Sequence, residues 1–292
     1  MMFRILLACS VPILWGSTYS VVNLFLSDLS PFWVAVWRAL PAGLLLLLLK
    51  PGKPPLSWTK MFQLSTLNIA LFFPLLFIAA YRLPGSVAGT LGATLPLQLM
   101  FIQWLFEGKR PDPKLLLLAL VGLAGIVLIL NPSADIDPYG AMAALVATAM
   151  VARASLLLKK WPVSDIFRLT AWQLTLGGFM LIPIALFFAG APKMVNTTHL
   201  PGILWICVVN SAFAYWAFAK SIKALGPNVM SMVSMLNPVA AVILGVSLVG
   251  ESLGTLQWLG IGMVALSLVL MKFASTPKKK KSDGLMTVSK AR

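Results

Sequence analysis

Residues 85–130 read GSVAGTLGATLPLQLMFIQWLFEGKRPDPKLLLLALVGLAGIVLIL, and residues 227–271 read PNVMSMVSMLNPVAAVILGVSLVGESLGTLQWLGIGMVALSLVLM. Each stretch is two apolar runs joined by a polar hinge. With the second laid on the first 142 positions later, Pro96 falls on Pro238, Gly108 on Gly250 and Gly125 on Ser267, while Lys109 faces Glu251. Identity is low, so the signal is a registered apolar pattern with matched punctuation. A duplicated hydrophobic chain is first of all a membrane transporter candidate.

Composition supports that reading. Hydrophobic residues make up 59% of the 292, charged residues 11%, and the mean hydropathy is +0.91. Too little polar material exists to coat a water-soluble globule of this length. The 23 Lys and Arg against 8 Asp and Glu lie in short gaps between apolar runs rather than in basic faces with interleaved aromatics. That is the distribution of a membrane protein and not of a nucleic-acid binder.

A helix crossing about 30 Å of hydrocarbon needs roughly 20 apolar residues, and ten runs qualify. They lie near 4–27, 32–49, 61–80, 85–106, 114–131, 138–158, 165–189, 200–221, 227–249 and 254–273. Breaks such as Ser30-Pro31, Pro51-Gly52, Asp137-Pro138 and Gly226-Pro227 carry turn chemistry. The expected fold class is an all-α membrane protein of ten transmembrane helices in two five-helix inverted repeats. Its expected units are 1–133, 137–274 and a disordered basic tail, 275–292, with Lys278 to Lys281 against anionic headgroups.

Cation counting gives the orientation. With a cytoplasmic N-terminus, the inner gaps hold Arg4, Lys50, Lys53, Lys60, Lys109, Arg110, Lys114, Lys159, Lys160, Lys220, Lys223 and the tail. The outer gaps hold Asp28, Arg82, Asp135, Asp137, Lys193, His199 and Glu251. Both termini are thus expected inside. Five helices per half is an odd number, so the second half enters the membrane in the opposite sense. This is the layout of carriers that open alternately to two faces around a midplane site.

Together these features resemble the EamA-type drug/metabolite transporters, bacterial inner-membrane proteins of ten helices. The resemblance rests on Trp15-Gly16-Ser17-Thr18-Tyr19 in the first run, Arg38 in the second, and Asn237-Pro238 followed by Gly250-Glu251 in the ninth, and it covers Arg4 to Phe273. The chain departs from the family at Glu107-Gly108-Lys109, where an acid after the glycine is usual. What the resemblance implies is movement of small metabolites, often amino acids, through a central cavity between helices one, three, four, six, eight and nine.

Polar residues at membrane depth mark candidate sites. Arg38 lies about 10 Å along its helix; either it serves a substrate or its long side chain reaches the interface. Thr90, Thr94 and Gln98 form one helical stripe, readable as cavity lining or as helix glue. Gly85 and Gly89 offer a small surface for close helix contact. Pro96 and Pro238 each remove a backbone donor, freeing carbonyls near Gly92 and Ser234, and are the expected hinges. Trp15, Ser17, Tyr19, Asn68, Tyr215, Trp216, Ser234 and Asn237 supply aromatic faces with placed polar groups. With Arg38, Thr94 and Gln98 they make the expected substrate-binding set.

No Asp or Glu lies deep in a run, which disfavours coupling through a buried carboxylate and leaves Asp28 or Glu251 as marginal alternatives. The cationic lining favours zwitterionic or anionic substrates. Cys9 and Cys207 stand alone in apolar runs and His199 is the sole histidine, so no catalytic residues, metal site or cofactor are expected. The expected activity is metabolite transport by alternating access, export above uptake, as monomer or homodimer. A non-transporting scaffold or accessory subunit is the alternative.

Overall fold

A computed structural model of the chain describes residues 2–82, 90–130, 137–249 and 254–274. The Gly85 and Gly89 pair, Asp135, the Gly250-Glu251 hinge and the tail from 275 onward lie outside the described residues, as does the side chain of Tyr19. Every regular element among the described residues is helical.

The first half opens with α1 (Met2–Phe25) and α2 (Pro31–Leu49), whose leading proline has no amide hydrogen to leave unsatisfied. Next comes α3 (Trp58–Ser65), which passes through a π-helical turn (Thr66–Ala70) and resumes after Leu71 as α4 (Phe72–Arg82). Then follow α5 (Leu95–Glu107) and α6 (Pro113–Leu130). Gly108 ends α5 in the left-handed conformation (φ 65°), and its N–H bonds the carbonyl of Trp104. A glycine at that position is a backbone requirement.

The second half begins with α7 (Pro138–Lys160) and α8 (Ile166–Ala189). Both are N-capped by aspartates: Asp137 accepts from the N–H of Tyr139, and Asp165 from that of Arg168. A short α9 (Leu200–Leu204) runs into a π segment (Trp205–Phe213) and on into α10 (Ala214–Leu225). The chain continues with α11 (Pro227–Val233), α12 (Leu236–Val249) and α13 (Thr255–Ala274).

Among the described residues, six stretches are long and apolar enough to cross a bilayer: Met2–Val22, Pro31–Leu49, Trp58–Ala79, Pro138–Lys160, Ile166–Ala189 and Leu200–Leu225. Pro113–Ile129 and Thr255–Met271 are shorter apolar helices. Large apolar side chains face outward all round, Leu48, Phe187 and Leu259 among them, a surface that only lipid would cover.

Two seams dominate the packing, α2 against α8 and α6 against α13. Glycine makes both possible. A Cβ on Gly43 would lie 2.4 Å from the backbone N of Thr175, and one on Gly178 would lie 2.7 Å from Cα of Leu40. At the other seam a Cβ on Gly125 would lie 2.7 Å from the carbonyl O of Gly260, and one on Gly260 would lie 2.5 Å from that of Gly125. Around these seams α1 packs on α12 and α10, and α7 packs on α5 and α4.

Polar ties join the halves at the helix ends. Lys50, just past α2, pairs with Asp165 at 2.7 Å, and Arg168 reaches the same carboxylate at 2.9 Å. These partners, Lys50 first, hold the Asp165 carboxyl well below the usual carboxylate range. Arg82 bonds Asp137 at 2.9 Å and lowers its pKa in the same way. The ring of His199 is buried and meets Asp28 through Nε2 at 3.1 Å, while Lys193 donates to the carbonyl of Asp28. Because Nδ1 of His199 accepts from the N–H of Asn196, Nε2 carries the proton that bonds Asp28.

Candidate functional site

A polar cluster inside the apolar spans forms where the second π turn faces α1 and α2, and Tyr215 ties it to the first π turn, which packs on α8 and α7. In an α-helix each carbonyl is committed to the amide four residues on; a π turn shifts the pairing by one residue, so a carbonyl near the wide turn has capacity for another donor. Two asparagine carbonyls use it. Trp15 on α1 donates from Nε1 to the carbonyl of Asn210 at 3.0 Å, and Tyr215 on α10 donates its hydroxyl to the carbonyl of Asn68 at 3.4 Å. Asn68 and Asn210 stand 142 residues apart, the spacing that also relates Pro96 to Pro238.

Around these bonds the aromatic rings close. Trp15 lies 5.3 Å from the ring of Tyr215 and 5.2 Å from that of Phe218, and it packs against both of the large hydrophobic clusters of the protein. The Asn210 side chain donates to the hydroxyl of Thr18 at 2.9 Å, while its amide oxygen is buried without a hydrogen-bond partner. An unmet acceptor of this kind carries a desolvation cost until a donor arrives.

Arg38 belongs to this cluster. It is 7% exposed, its Nε donates to the hydroxyl of Ser211 at 3.3 Å, and its guanidinium lies over the ring of Phe73, 4.6 Å from the centroid. The hydroxyl of Ser211 in turn donates to the carbonyl of Ile206. Of the two readings open from the sequence, reach to the interface or service in the interior, the side chain takes the interior one.

The other expected residues lie elsewhere. Ser17 accepts from the indole N–H of Trp205 on the outer edge of α1. Trp216 stacks under the ammonium of Lys220 at 4.6 Å. Gln98 donates to the hydroxyl of Thr94 at 2.9 Å, and that hydroxyl donates to the carbonyl of Leu91. Ser234 donates back to the carbonyl of Met230, and Asn237 donates its N–H to the carbonyl of Ser234.

Both proline-bearing helices are interrupted just upstream of the proline. Turns at Ala93–Thr94 and Ser234–Met235 precede α5 and α12, with Pro96 second in the one and Pro238 third in the other. A small crevice of about 10 Å³, near what one water requires, lies between α5, α6 and α11, lined by Pro96, Met100, Leu115, Asn228, Ser231 and Met232. The amide oxygen of Asn228 is buried there without a partner.

Reasoning from sequence missed Thr18, Phe73 and Phe218, and it passed over Arg153 on α7, whose guanidinium lies 4.9 Å above the ring of Phe106. The recurrence of Asn68 at Asn210 was the available signal for the π turns. A cation inside an apolar run was the signal for Arg153.

Two separate segments, residues 2–131 and 138–273, match the model of the EamA-like transporter family. The chain belongs to that family. It is therefore a membrane transporter, with the bilayer as its setting and a small molecule as its cargo. Protein PecM of Dickeya dadantii is 34% identical over 275 residues, covering 92% of each chain. The inner membrane transporter YedA of Escherichia coli K12 is 30% identical over 270 residues, covering 89% of this chain and 87% of its own. The transporter YwfM of Bacillus subtilis is 27% identical over 277 residues, covering 92% of each. A crystal structure with a TM-score of 0.80 and 15% identity covers 95% of this chain and 99% of its own, a likeness of fold.

Proposed function

We propose that this EamA-family protein is an inner-membrane carrier that exports small zwitterionic or anionic metabolites, amino acids among them, by alternating access. The single observation that carries the substrate class is the buried guanidinium of Arg38, bonded to Ser211, the residue that follows Asn210 with its unmet amide oxygen. An anionic group suits the first and a donor such as an ammonium suits the second. Trp15 and Tyr215 give the cluster its apolar walls.

The two-repeat organisation, 1–133 and 137–274 with ten spans, draws support from the packing. Exchanging the first five spans for the second five leaves the α2–α8 and α6–α13 seams in place, turns α1–α12 into α7–α5, and turns α4–α7 into α10–α1. Opposite insertion of the halves follows from an odd span number in each. Cytoplasmic termini draw support from a sorting of charges: Lys60 lies over Trp161 and Lys159 bonds the carbonyl of Lys223, while Asp28, Lys193 and His199 meet one another. Pro96 and Pro238, each beside a helix break, serve as the hinges.

Flux in proteoliposomes tests the reading. Purified protein is expected to give saturable counterflow of a labelled neutral amino acid, reduced on the order of ten-fold or more by Arg38→Gln, as loss of a charge-assisted hydrogen bond requires. Preference for a permanently cationic dye would overturn the substrate class. Absence of any saturable flux from the purified chain would favour the scaffold reading.

A further inference from the structure

The exposed residues of α7 recur in helical register. Tyr139, Met142 and Val146 follow one another up one exposed side of the first half of the helix, Ala149 and Arg153 continue that stripe as half-buried positions against α5, and Ala144, Ala147, Thr148, Ala152 and Ser155 are buried. Arg153 therefore stands half-buried at the groove between α7 and α5, seven residues before the end of α7 at Lys160, or about 10 Å along the axis, with Leu156 and Leu157 beyond it buried. A guanidinium there cannot remain unpaired in hydrocarbon without large cost.

Protein carboxylates do not meet it. Among the described residues Glu107 pairs with Lys109, Asp165 with Lys50 and Arg168, Asp137 with Arg82 and Asp28 with His199, while Asp112 accepts from the N–H of Lys114. Its contact is instead the ring of Phe106, 63% exposed and the last residue but one of α5. That ring acts as a shelf. It holds the guanidinium at the level where α5 gives way to the charged run Glu107 to Arg110, which is the depth of the lipid phosphates. Since Glu107 answers Lys109, and Arg110 and Lys114 outnumber Asp112, the rim keeps a positive surplus.

We infer that Arg153 on its Phe106 shelf, beside the Arg110 rim, is a binding site for the phosphate of an anionic phospholipid between α5 and α7. Guanidinium and phosphate match in bidentate geometry. Positive surplus at the rim favours a headgroup with net negative charge over a zwitterionic one. The site lies on the outer surface of the bundle and is independent of the transport reading.

Native mass spectrometry of the purified full-length protein tests it, with phosphatidylglycerol, phosphatidylcholine and inorganic phosphate as probes. Wild-type protein is expected to bind phosphatidylglycerol about ten-fold more tightly than phosphatidylcholine, the scale of one charge-assisted hydrogen bond. Arg153→Gln is expected to abolish that preference and Arg153→Lys to retain part of it. Equal binding of the two lipids by wild type, an unchanged preference in Arg153→Gln, or a Lys variant as unselective as the Gln one would overturn the site. Displacement of the lipid by millimolar inorganic phosphate would overturn the assignment to a lipid. If Arg153→Gln does not fold, wild-type selectivity and the Lys variant still decide the matter.

Discussion

Adding one methyl group to Gly43 is expected to destabilise the protein measurably. The new Cβ would fall 2.4 Å from both the backbone N and Oγ1 of Thr175, and 2.8 Å from its Cα. Ordinary contact begins at 3.4 Å, so α2 and α8 must separate by about 1 Å where they touch, an estimate in line with overpacked cores. The obstacle is main chain, which no rotamer change removes. Overpacking costs about 1–3 kcal/mol, and the better helix propensity of Ala returns only about 0.5–1 kcal/mol. We expect Gly43→Ala to unfold several degrees lower in detergent, at roughly 2–4 °C per kcal/mol. Gly178→Ala should behave alike, since its Cβ would meet backbone atoms of Leu40 at 2.7–2.8 Å. Both changes open one seam, so the double variant should lose less than the sum. Gly262→Ala is the control, because its Cβ would meet nothing within 4 Å; it should be neutral or slightly stabilising. A Gly43→Ala protein as stable as wild type, beside a normal Gly262→Ala, would refute the close approach of α2 to α8.

Other outcomes follow from the ties and the cluster. Asp165 has a folded-state pKa below its unfolded value of about 3.9, so its contribution to stability is complete above about pH 4 and is lost as pH falls further. With the Lys50 side chain 54% exposed, screening holds the loss in Asp165→Asn to about 1 kcal/mol at pH 7; the gap in melting temperature should narrow below about pH 4, and a gap constant down to pH 3 would contradict the assignment. Tyr215→Phe keeps its ring but releases the carbonyl of Asn68, while Trp15→Phe releases the carbonyl of Asn210 and also leaves a small void where the indole was, so each should lower stability by about 1–3 kcal/mol in thermal unfolding, Trp15→Phe the more. Loss from neither would show that the π-turn carbonyls need no aromatic donor.

The spans were legible because hydropathy and turn chemistry are local properties. Ser30-Pro31, Asp137-Pro138 and Gly226-Pro227 each start a helix where the residues require one. Membership in the EamA family was legible through Trp15, Arg38 and the Asn237-Pro238 pair in their order. The π turns were not: an apolar run has the same composition whether its amides pair four or five residues back. The direction taken by Arg38 was equally closed, since the length of its side chain allows interface or interior, and only Ser211 and Phe73 from other helices select between them. Arg153 was hidden because one cation scarcely lowers the hydropathy of a long run. In the stripe of Thr90, Thr94 and Gln98 the helical spacing was legible, and the bond from Gln98 to Thr94 follows from it.

The wide turns at Thr66–Ala70 and Trp205–Phe213 also carry a record of descent. A π turn holds one residue more than the α-helix around it can pair regularly. Both halves carry such a turn in their third span, with Asn68 and Asn210 in the same register. One insertion before the halves were joined accounts for both, whereas a later origin needs the same event twice at the same place. What fills the two carbonyls differs, an indole from α1 at Asn210 and a phenol from α10 at Asn68, and the spacing of 142 does not relate Trp15 to Tyr215, so the feature the halves share is the turn and not its donor.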